Sequence, residues 1–401
     1  MDLVIQTPGQ ATGSMQSQRA EQKTRKGFFG GSALRLVSVL IAYKVFVVVL
    51  VLLNGQVWPD FFNVVSYKAN FHWPEDKAAG LSERFTTWDG EHYLYLSQSG
   101  YEAGSASAAF YPLWPSLIGA GAKLLGGHDL IVALLLSNIF SLIACCLFHK
   151  LVKLRHTTQL ADWATIFLLV YPGALFFQFA YTESLFFLLI ILFFWGMAQR
   201  SMALVILAGL LLPMTRSVGL FCAVPLVVSN YLERRPWRDY VPLCAIAAGW
   251  FIYLLVMQVQ TGNMFEGFAA QRHYIANGSI SKLFDPIGFL TSLFRPLQMH
   301  GFLDSLFDRL FFASFIAALF ILYRLNKVYF AYCIAVGLIP AIANSFMSYT
   351  RYLAVAFPVF IAIAQYFDAH ERRYLRCTLA GVLFIIQVAF VFRHINFYWA
   401  G

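Results

Sequence analysis

Long apolar runs recur along most of the chain, and they constrain its fold more than any other feature of the sequence. The first covers residues 33–53, and similar runs return as far as residue 393. A helix needs about 20 apolar residues to cross a bilayer, and the runs are close to that length. Only 12% of the residues are charged, whereas 59% are hydrophobic, and this is about half the charge of an average soluble domain. The sequence therefore predicts an all-α, multi-pass membrane protein and excludes an ordinary water-soluble globular protein.

The apolar runs predict about 11 transmembrane helices. These predicted spans cover residues 33–53, 129–149, 161–179, 183–198, 202–215, 217–231, 240–259, 304–324, 328–346, 352–367 and 374–393. Residues 110–126 are also apolar, but two early prolines and a short length favour a re-entrant or interfacial helix as much as a span. If this segment stays on one side, the basic clusters between the spans all fall inside, as the positive-inside rule requires.

This topology has a cytoplasmic N-terminus and two long loops on the outer side, 54–128 and 260–303. Residues 1–32 are polar and basic, and we expect them to form a disordered cytoplasmic tail. The net charge of +9, which in a soluble protein would suggest nucleic-acid binding, is explained by clusters that set the topology. The six cysteines lie in apolar runs or beside a basic loop, so neither a disulfide framework nor a cysteine-based metal site is predicted.

The remaining polar residues gather on the predicted outer side. They form five clusters: Trp88 to Tyr93, Tyr181 to Ser184, Thr215 to Ser217, Tyr349 to Tyr352, and Gln271 to Tyr274. Ionisable groups at the edge of lipid are costly unless they are paired or face water. Because all five clusters share one side of the membrane, we interpret them as parts of one site.

Each cluster also has a purely structural explanation. Asp89 could cap a short helix while Trp88 anchors at the interface, and Glu183 could simply be favoured at a helix start. Arg216 and Arg351 could be snorkelling side chains. A carboxylate at a helix N-terminus stays ionised, however, as a general base must. The shared side of the carboxylates and the arginines favours the functional interpretation.

The same clusters carry a resemblance to a known family. The segments WDGEHY (88–93), AFYPLWP (109–115), YPGALFF (171–177), YTESLF (181–186), MTRSVGL (214–220) and RY (351–352) are similar in order and spacing to those of the GPI mannosyltransferase 2 (PIG-V-like) family. That family belongs to the GT-C glycosyltransferases. The likeness extends from about residue 35 to residue 368.

The resemblance implies a GT-C-like transmembrane catalytic domain over residues 33–401, with juxtamembrane helices in the first outer loop. GT-C members use a lipid-phosphate sugar donor on the lumenal or extracytoplasmic face. The short 54–87 segment and the compact chain favour a prokaryotic relative that acts on a glycolipid or glycan other than a GPI precursor. The expected location is therefore a bacterial or archaeal plasma membrane, or the endoplasmic reticulum membrane in a eukaryote.

The activity expected from the resemblance is transfer of mannose from a polyprenyl- or dolichyl-phosphate donor, with inversion, by an enzyme of class EC 2.4.1. Asp89 would be the catalytic base, and Arg216 and Arg351 would compensate the phosphate charge. The expected donor side also includes Tyr181, Glu183, Trp88 and His92. The expected acceptor side includes Glu91, Tyr93, Arg272 and His273.

We expect no required cofactor, although Asp89, Glu91 and Glu183 could in principle hold a divalent ion. His92 and His273 lack a recognisable metal-ligand spacing. Two other functions remain open from the sequence: a flippase for lipid-linked sugars or another transporter, and a structural membrane subunit. A transporter should carry functional polar groups through the midplane and on both faces, whereas these gather on one.

Overall fold

The computed structural model describes residues 33–274, 280–295, 298–343, 345–370 and 372–401. Within these ranges the chain is helical and has no β-strand, only an isolated bridge between Gln298 and Ser305. The all-α fold class predicted from the sequence is confirmed. The predicted tail, 1–32, lies outside the described residues.

The first half of the chain contains the first long loop and the start of the bundle. Its helices are α1 (Ala33–Val57), α2 (Val64–Ala69), α3 (Asp89–Ser99), α4 (Leu113–Leu124), α5 (Asp129–Lys153), α6 (Thr158–Val170), α7 (Glu183–Gln199), α8 (Met202–Leu211) and α9 (Ala223–Leu232). The helices of the second half are α10 (Pro242–Thr261), α11 (Glu266–Ala269), α12 (Pro286–Leu293), α13 (Leu306–Leu325), α14 (Lys327–Cys333), α15 (Ile339–Ala343), α16 (Tyr349–Leu353), α17 (Pro358–Ala369) and α18 (Arg373–Ile395).

Five helical segments of the described chain are long and apolar enough to cross a membrane. They are Ala33–Val57, Asp129–Lys153, Trp237–Thr261, Leu306–Leu325 and Arg373–Ile395. The chain is therefore an integral membrane protein. The other predicted spans correspond to shorter apolar segments: Thr158–Val170, Glu183–Gln199, Met202–Leu211, Ser217–Leu232 and Lys327–Ala343. The predicted span 352–367 is divided between α16 and α17.

The apolar segment 110–126 forms the 12-residue helix α4. At 1.5 Å per residue this helix is about 18 Å long, well short of the roughly 30 Å hydrocarbon core. Its buried residues Trp114, Ile118 and Ala122 repeat every four positions, so one face packs against α3 and α5. The helix is consistent with the juxtamembrane element expected in the first outer loop.

Helix α7 lies at the centre of the bundle. Nearly all of its first twelve side chains are buried, and it packs against α5 on one side and α8 on another. A helix that is apolar all round belongs in the interior. Its first residue, Glu183, is therefore held at a fixed place inside the protein and not on its surface.

The structure departs from the prediction between residues 161 and 179. The predicted continuous span is wrong, because α6 ends at Val170 and a 3₁₀ turn follows over Pro172–Phe177. Pro172 lacks the backbone N–H that would continue the helix, and it disfavours a helical conformation for Tyr171. The chain then runs without α-helix to Thr182, and we call residues 171–182 the irregular segment.

Non-helical backbone inside a membrane protein needs hydrogen-bond partners from its surroundings. Side chains of α5 supply several of them to the irregular segment. Ser137 Oγ donates to Phe179 O at 2.6 Å and Ser141 Oγ to Phe177 O at 3.1 Å. Lys44 of α1 also supports the irregular segment, since its Nζ donates to Ser141 Oγ at 2.7 Å and to Gln178 Oε1 at 3.3 Å.

Candidate active site

Asp89 is the first residue of α3, at the end of the connection that follows α2. Trp88, immediately before it, has φ +59°, which is rare for a bulky side chain. The Trp88 ring stacks on Phe397 with 4.9 Å between centroids and meets Trp399 edge-on at 5.4 Å. This packing holds the strained turn, so that Asp89 faces the bundle with 25% of its side chain exposed.

Three further charged residues lie close to Asp89, and they come from separate parts of the chain. Glu183 opens the buried helix α7 and is 1% exposed. Arg216 follows Pro213 in the connection after α8 and precedes the 3₁₀ turn Ser217–Cys222. Arg351 lies in the five-residue helix α16.

These four side chains meet, and we call Asp89, Glu183, Arg216 and Arg351 the ion-pair cluster. Arg351 donates from Nη1 to Asp89 Oδ2 and from Nε to Glu183 Oε1. Arg216 Nη1 donates to the same oxygen of Glu183 and also to Thr182 Oγ1 at 3.2 Å. The cluster thus pairs two carboxylates with two guanidinium groups.

Aromatic rings fix the orientation of both guanidinium groups. The guanidinium carbon of Arg351 lies 4.7 Å from the Tyr181 ring centroid and 5.0 Å from that of Phe176. The guanidinium of Arg216 lies 5.2 Å from the ring centroid of Tyr352. Cation–π contacts of this kind restrict a long side chain to few orientations.

Tyr181 also links the two carboxylate-bearing segments. Its OH donates to the backbone oxygen of Thr87 at 2.6 Å, two residues before Asp89. The Tyr93 OH lies 3.3 Å from Thr182 Oγ1, one residue before Glu183. Tyr181 and Tyr93, predicted on the donor and acceptor sides respectively, both lie next to the ion-pair cluster.

A crevice opens beside the cluster and has two kinds of lining. Three charged side chains, Glu183, Arg216 and Arg351, form one part of its wall. The other part is made by Val218, Val336, Pro340, Tyr352 and Val355. The crevice therefore places guanidinium groups next to an almost entirely apolar surface.

His92, predicted on the donor side, is part of an aromatic stack. Its ring lies between Phe71, at 4.1 Å between centroids, and Phe110, at 4.7 Å. Its Nδ1 is 2.9 Å from Ser107 Oγ. Burial lowers the pKa of His92 to about 4, although the charge of Asp89 opposes the shift. The ring is therefore neutral at physiological pH.

Glu91, predicted on the acceptor side, is 2% exposed and accepts a hydrogen bond from Thr86 Oγ1. Burial raises the pKa of its carboxyl group, and the bond from Thr86 opposes the shift. Arg272 and His273, the other loop candidates, are exposed in the turn Ala270–His273. Within the described chain, neither forms a hydrogen bond or an ion pair with the ion-pair cluster.

The described residues contain no group of three His, Cys, Asp or Glu side chains placed to hold a metal ion. Of the carboxylates considered as ligands, Asp89 and Glu183 share the guanidinium of Arg351, and Glu91 is bonded to Thr86.

Sequence reasoning missed two ionisable residues that support the site, the buried Asp308 and the half-buried Lys44. Asp308, in the first turn of α13, accepts hydrogen bonds from Thr350, the neighbour of Arg351. Lys44 supports the irregular segment from within α1. The signal was present in both cases, because an ionisable residue inside an apolar run is costly unless it has a structural or functional partner.

Comparison with known families shows to which family the chain belongs. The family model described as mannosyltransferase (PIG-V) matches residues 37–274. The chain belongs to the mannosyltransferase (PIG-V) family. This confirms the resemblance found in the sequence. The matched range includes Asp89, Glu183 and Arg216, whereas Arg351 lies beyond it.

Solved structures that align with the chain include the oligosaccharyltransferase of Archaeoglobus fulgidus. Its apo form aligns with a TM-score of 0.48 and 14% identity, covering 91% of this chain and 56% of that one. The form in complex with an inhibitory peptide and a dolichol-phosphate aligns with a TM-score of 0.43 and 13% identity, covering 90% of this chain and 56% of that one. The chain thus spans little more than half of that enzyme. No curated protein matches the chain significantly.

Proposed function

We propose that this membrane protein is a glycosyltransferase that transfers mannose from a polyprenyl- or dolichyl-phosphate donor to a glycolipid or glycan acceptor, with inversion at the anomeric carbon. The observation that carries the proposal is the ion-pair cluster beside a largely apolar crevice. A lipid-linked sugar phosphate has the matching chemistry, since it joins an anionic head group to a long hydrocarbon chain.

In this proposal Arg216 and Arg351 bind the donor phosphate. Guanidinium groups form charge-assisted, often bidentate hydrogen bonds to phosphate oxygens. The prenyl chain would leave past the partly exposed apolar side of the crevice, at Val218 and Tyr352. As the bond between the sugar and the phosphate breaks, negative charge grows on the phosphate, and the two arginines stabilise it in place.

Asp89 is the proposed general base. It is the most exposed member of the ion-pair cluster, with 25% of its side chain accessible, so an acceptor hydroxyl can reach it. The hydroxyl oxygen attacks the anomeric carbon of mannose, its proton passes to Asp89, and the bond to the phosphate oxygen breaks. The products are the mannosylated acceptor and the polyprenyl phosphate, and no nucleotide is consumed.

We further propose that the five shorter apolar segments and α17 complete eleven membrane passes. This arrangement keeps the basic loops and the N-terminus in the cytoplasm and the ion-pair cluster on the extracytoplasmic side. Cysteine labelling with a membrane-impermeant reagent would test the sidedness. A cysteine introduced at exposed Arg272 should react in intact cells, and one introduced at exposed Arg234 should react only after permeabilisation. The reverse pattern would overturn the topology.

The activity is tested with purified protein in detergent or nanodiscs. Polyprenyl-phosphate [³H]mannose is supplied with total lipids and glycans from the source membrane, and radioactivity in a new product is measured. We expect wild type to form such a product and Asp89→Asn to form at least 100-fold less while remaining folded. Comparable turnover by Asp89→Asn would contradict the assignment of the base.

A flippase for the same lipids predicts a different result. In proteoliposomes it would move the intact labelled lipid between leaflets and form no new sugar linkage. Movement without transfer would overturn the proposed function. Transfer that does not require lipid movement supports it.

A further inference from the structure

Helix α16 carries Arg351 but is too short to fix its own orientation. It has five residues, and its N-cap Ser348 has φ +59° and no side-chain capping bond. The first N–H groups of any helix lack intrahelical acceptors, and a single turn is unstable when isolated. The position of Arg351 must therefore be set by contacts from outside α16.

One such contact comes from Asp308, which is fully buried in the first turn of α13. Its Oδ1 accepts the backbone N–H of Thr350 at 2.8 Å and the Thr350 hydroxyl at 2.6 Å. The carboxylate thus caps α16 from a different helix. Its second oxygen has no hydrogen-bond partner in the described chain, so binding Thr350 is the visible role of this costly buried acid.

A second contact holds Thr350 from the opposite side. Gly173 of the irregular segment lies so close to the Thr350 carbonyl that a Cβ atom added there would be 2.2 Å from its oxygen. Any side chain at this position would have to displace the backbone of α16. The N–H of Thr350 is therefore fixed by Asp308, and its carbonyl is packed against Gly173.

We propose that Asp308 is a positioning residue for the transfer reaction. It acts through Thr350 to hold Arg351 between Asp89 and Glu183, with Gly173 as the opposing surface. Asp308 makes no direct contact with the ion-pair cluster in the described chain. The proposal that Arg351 binds phosphate is the part of this inference that rests on the proposed function.

The first test is a double-mutant cycle read out by binding of polyprenyl monophosphate. Asp308→Ala should weaken binding at least 10-fold in the wild-type background and no more than about 3-fold when Arg351→Gln is already present. Coupled residues show such non-additivity, whereas independent structural damage multiplies. Asp308→Asn keeps an acceptor for Thr350 and should stay within about 3-fold of wild type.

Asp129 provides a matched control. It also lies in the first turn of a membrane-spanning helix, and it accepts bonds from Ser97 and Gln98 at the far end of α3 from Asp89. Asp129→Ala should change polyprenyl monophosphate binding no more than about 3-fold. An equal loss in Asp129→Ala and Asp308→Ala, or the same Asp308→Ala loss in both backgrounds, would overturn the positioning role.

A second measurement needs no substrate and separates this inference from the proposed function. Hydrogen–deuterium exchange of the peptide 345–355 should accelerate at least 10-fold in Asp308→Ala and remain at the wild-type rate in Asp129→Ala. Unchanged exchange in Asp308→Ala would overturn the inference. If exchange accelerates but wild type does not bind polyprenyl monophosphate, the role of Asp308 in holding α16 is supported and the proposed donor is wrong.

Discussion

The guanidinium of Arg351 donates a hydrogen bond to the carboxylate of Asp89 from a position 262 residues later in the chain. The proposed base is therefore already paired with a group that the proposed donor phosphate also needs. When the phosphate binds Arg351, it competes with Asp89 for the same donor atoms. Release of Asp89 toward the acceptor would then follow donor binding, so the structure favours an order in which the donor binds first.

This competition predicts opposite effects of one substitution on binding and on turnover. Asp89→Asn removes the negative charge that occupies Arg351, so polyprenyl monophosphate should bind at least as tightly as to wild type. Turnover should fall about 10²- to 10⁴-fold, the usual contribution of a general base. Equilibrium binding of the labelled lipid phosphate and single-turnover transfer measure the two effects separately. Weaker lipid-phosphate binding by Asp89→Asn would show that Asp89 contributes to the donor site in another way.

The two arginines should differ in their tolerance of lysine. Arg351 uses Nε and Nη1 to reach two different carboxylates, whereas the hydrogen bonds of Arg216 in the described chain both come from Nη1. A lysine ammonium cannot reproduce the fork of Arg351. Arg351→Lys should therefore reduce kcat/KM about 100-fold or more. Arg216→Lys should reduce it only about 10-fold, or about 1.4 kcal/mol, because a lysine ammonium can replace hydrogen bonds that come from one nitrogen. Equal losses in the two variants would indicate that the fork is unimportant.

Glu183 and Glu91 offer a comparison of two equally buried acids. Glu183 neutralises Arg216 and part of Arg351, so Glu183→Gln leaves guanidinium charge uncompensated and should reduce the free energy of unfolding by about 3 kcal/mol or more. Glu91 accepts a bond from Thr86, and burial raises the pKa of its carboxyl group. Glu91→Gln keeps that acceptor and should cost less than about 1 kcal/mol. Equilibrium unfolding in mixed micelles compares the two variants. A larger loss of unfolding free energy in Glu91→Gln would contradict the role of Glu183 in neutralising the arginines.

The sequence predicted that Asp89, Glu183, Arg216 and Arg351 belong to one site, and their side chains meet. It also placed Arg272 in that site, but Arg272 forms no bond with the ion-pair cluster in the described chain. The prediction used the cost of ionisable groups that neither pair nor face water and the positive-inside rule. The sequence did not predict which carboxylate pairs with which arginine. Glu183, expected on the donor side, bridges both arginines.

Other parts of the site depended on tertiary contacts that a periodic pattern does not contain. Pro172 is a local signal for the end of α6 at Val170, but the prediction followed the apolar run and extended the span to residue 179. The aromatic stack around His92 joins Phe71 and Phe110 from different parts of the outer loop, and no local pattern indicates that pairing. Asp308 lies inside a predicted span, and the sequence did not indicate its partner Thr350, which is 42 residues away.

The buried His92 ring predicts a loss of stability in acid. Burial lowers its pKa to about 4 in the folded protein, whereas the unfolded value is near 6.5. Between these two values the unfolded state binds more protons, so the contribution of His92 is fully present above pH 6.5 and is lost as the pH falls toward 4. The slope approaches 1.4 kcal/mol per pH unit in this range. His92→Phe keeps the ring stack between Phe71 and Phe110 but cannot titrate, so its stability should depend less on pH by that amount. Unfolding in micelles at pH 4.5, 5.5 and 7 measures the difference, and parallel curves for the two proteins would show that the His92 ring is not buried as a neutral group.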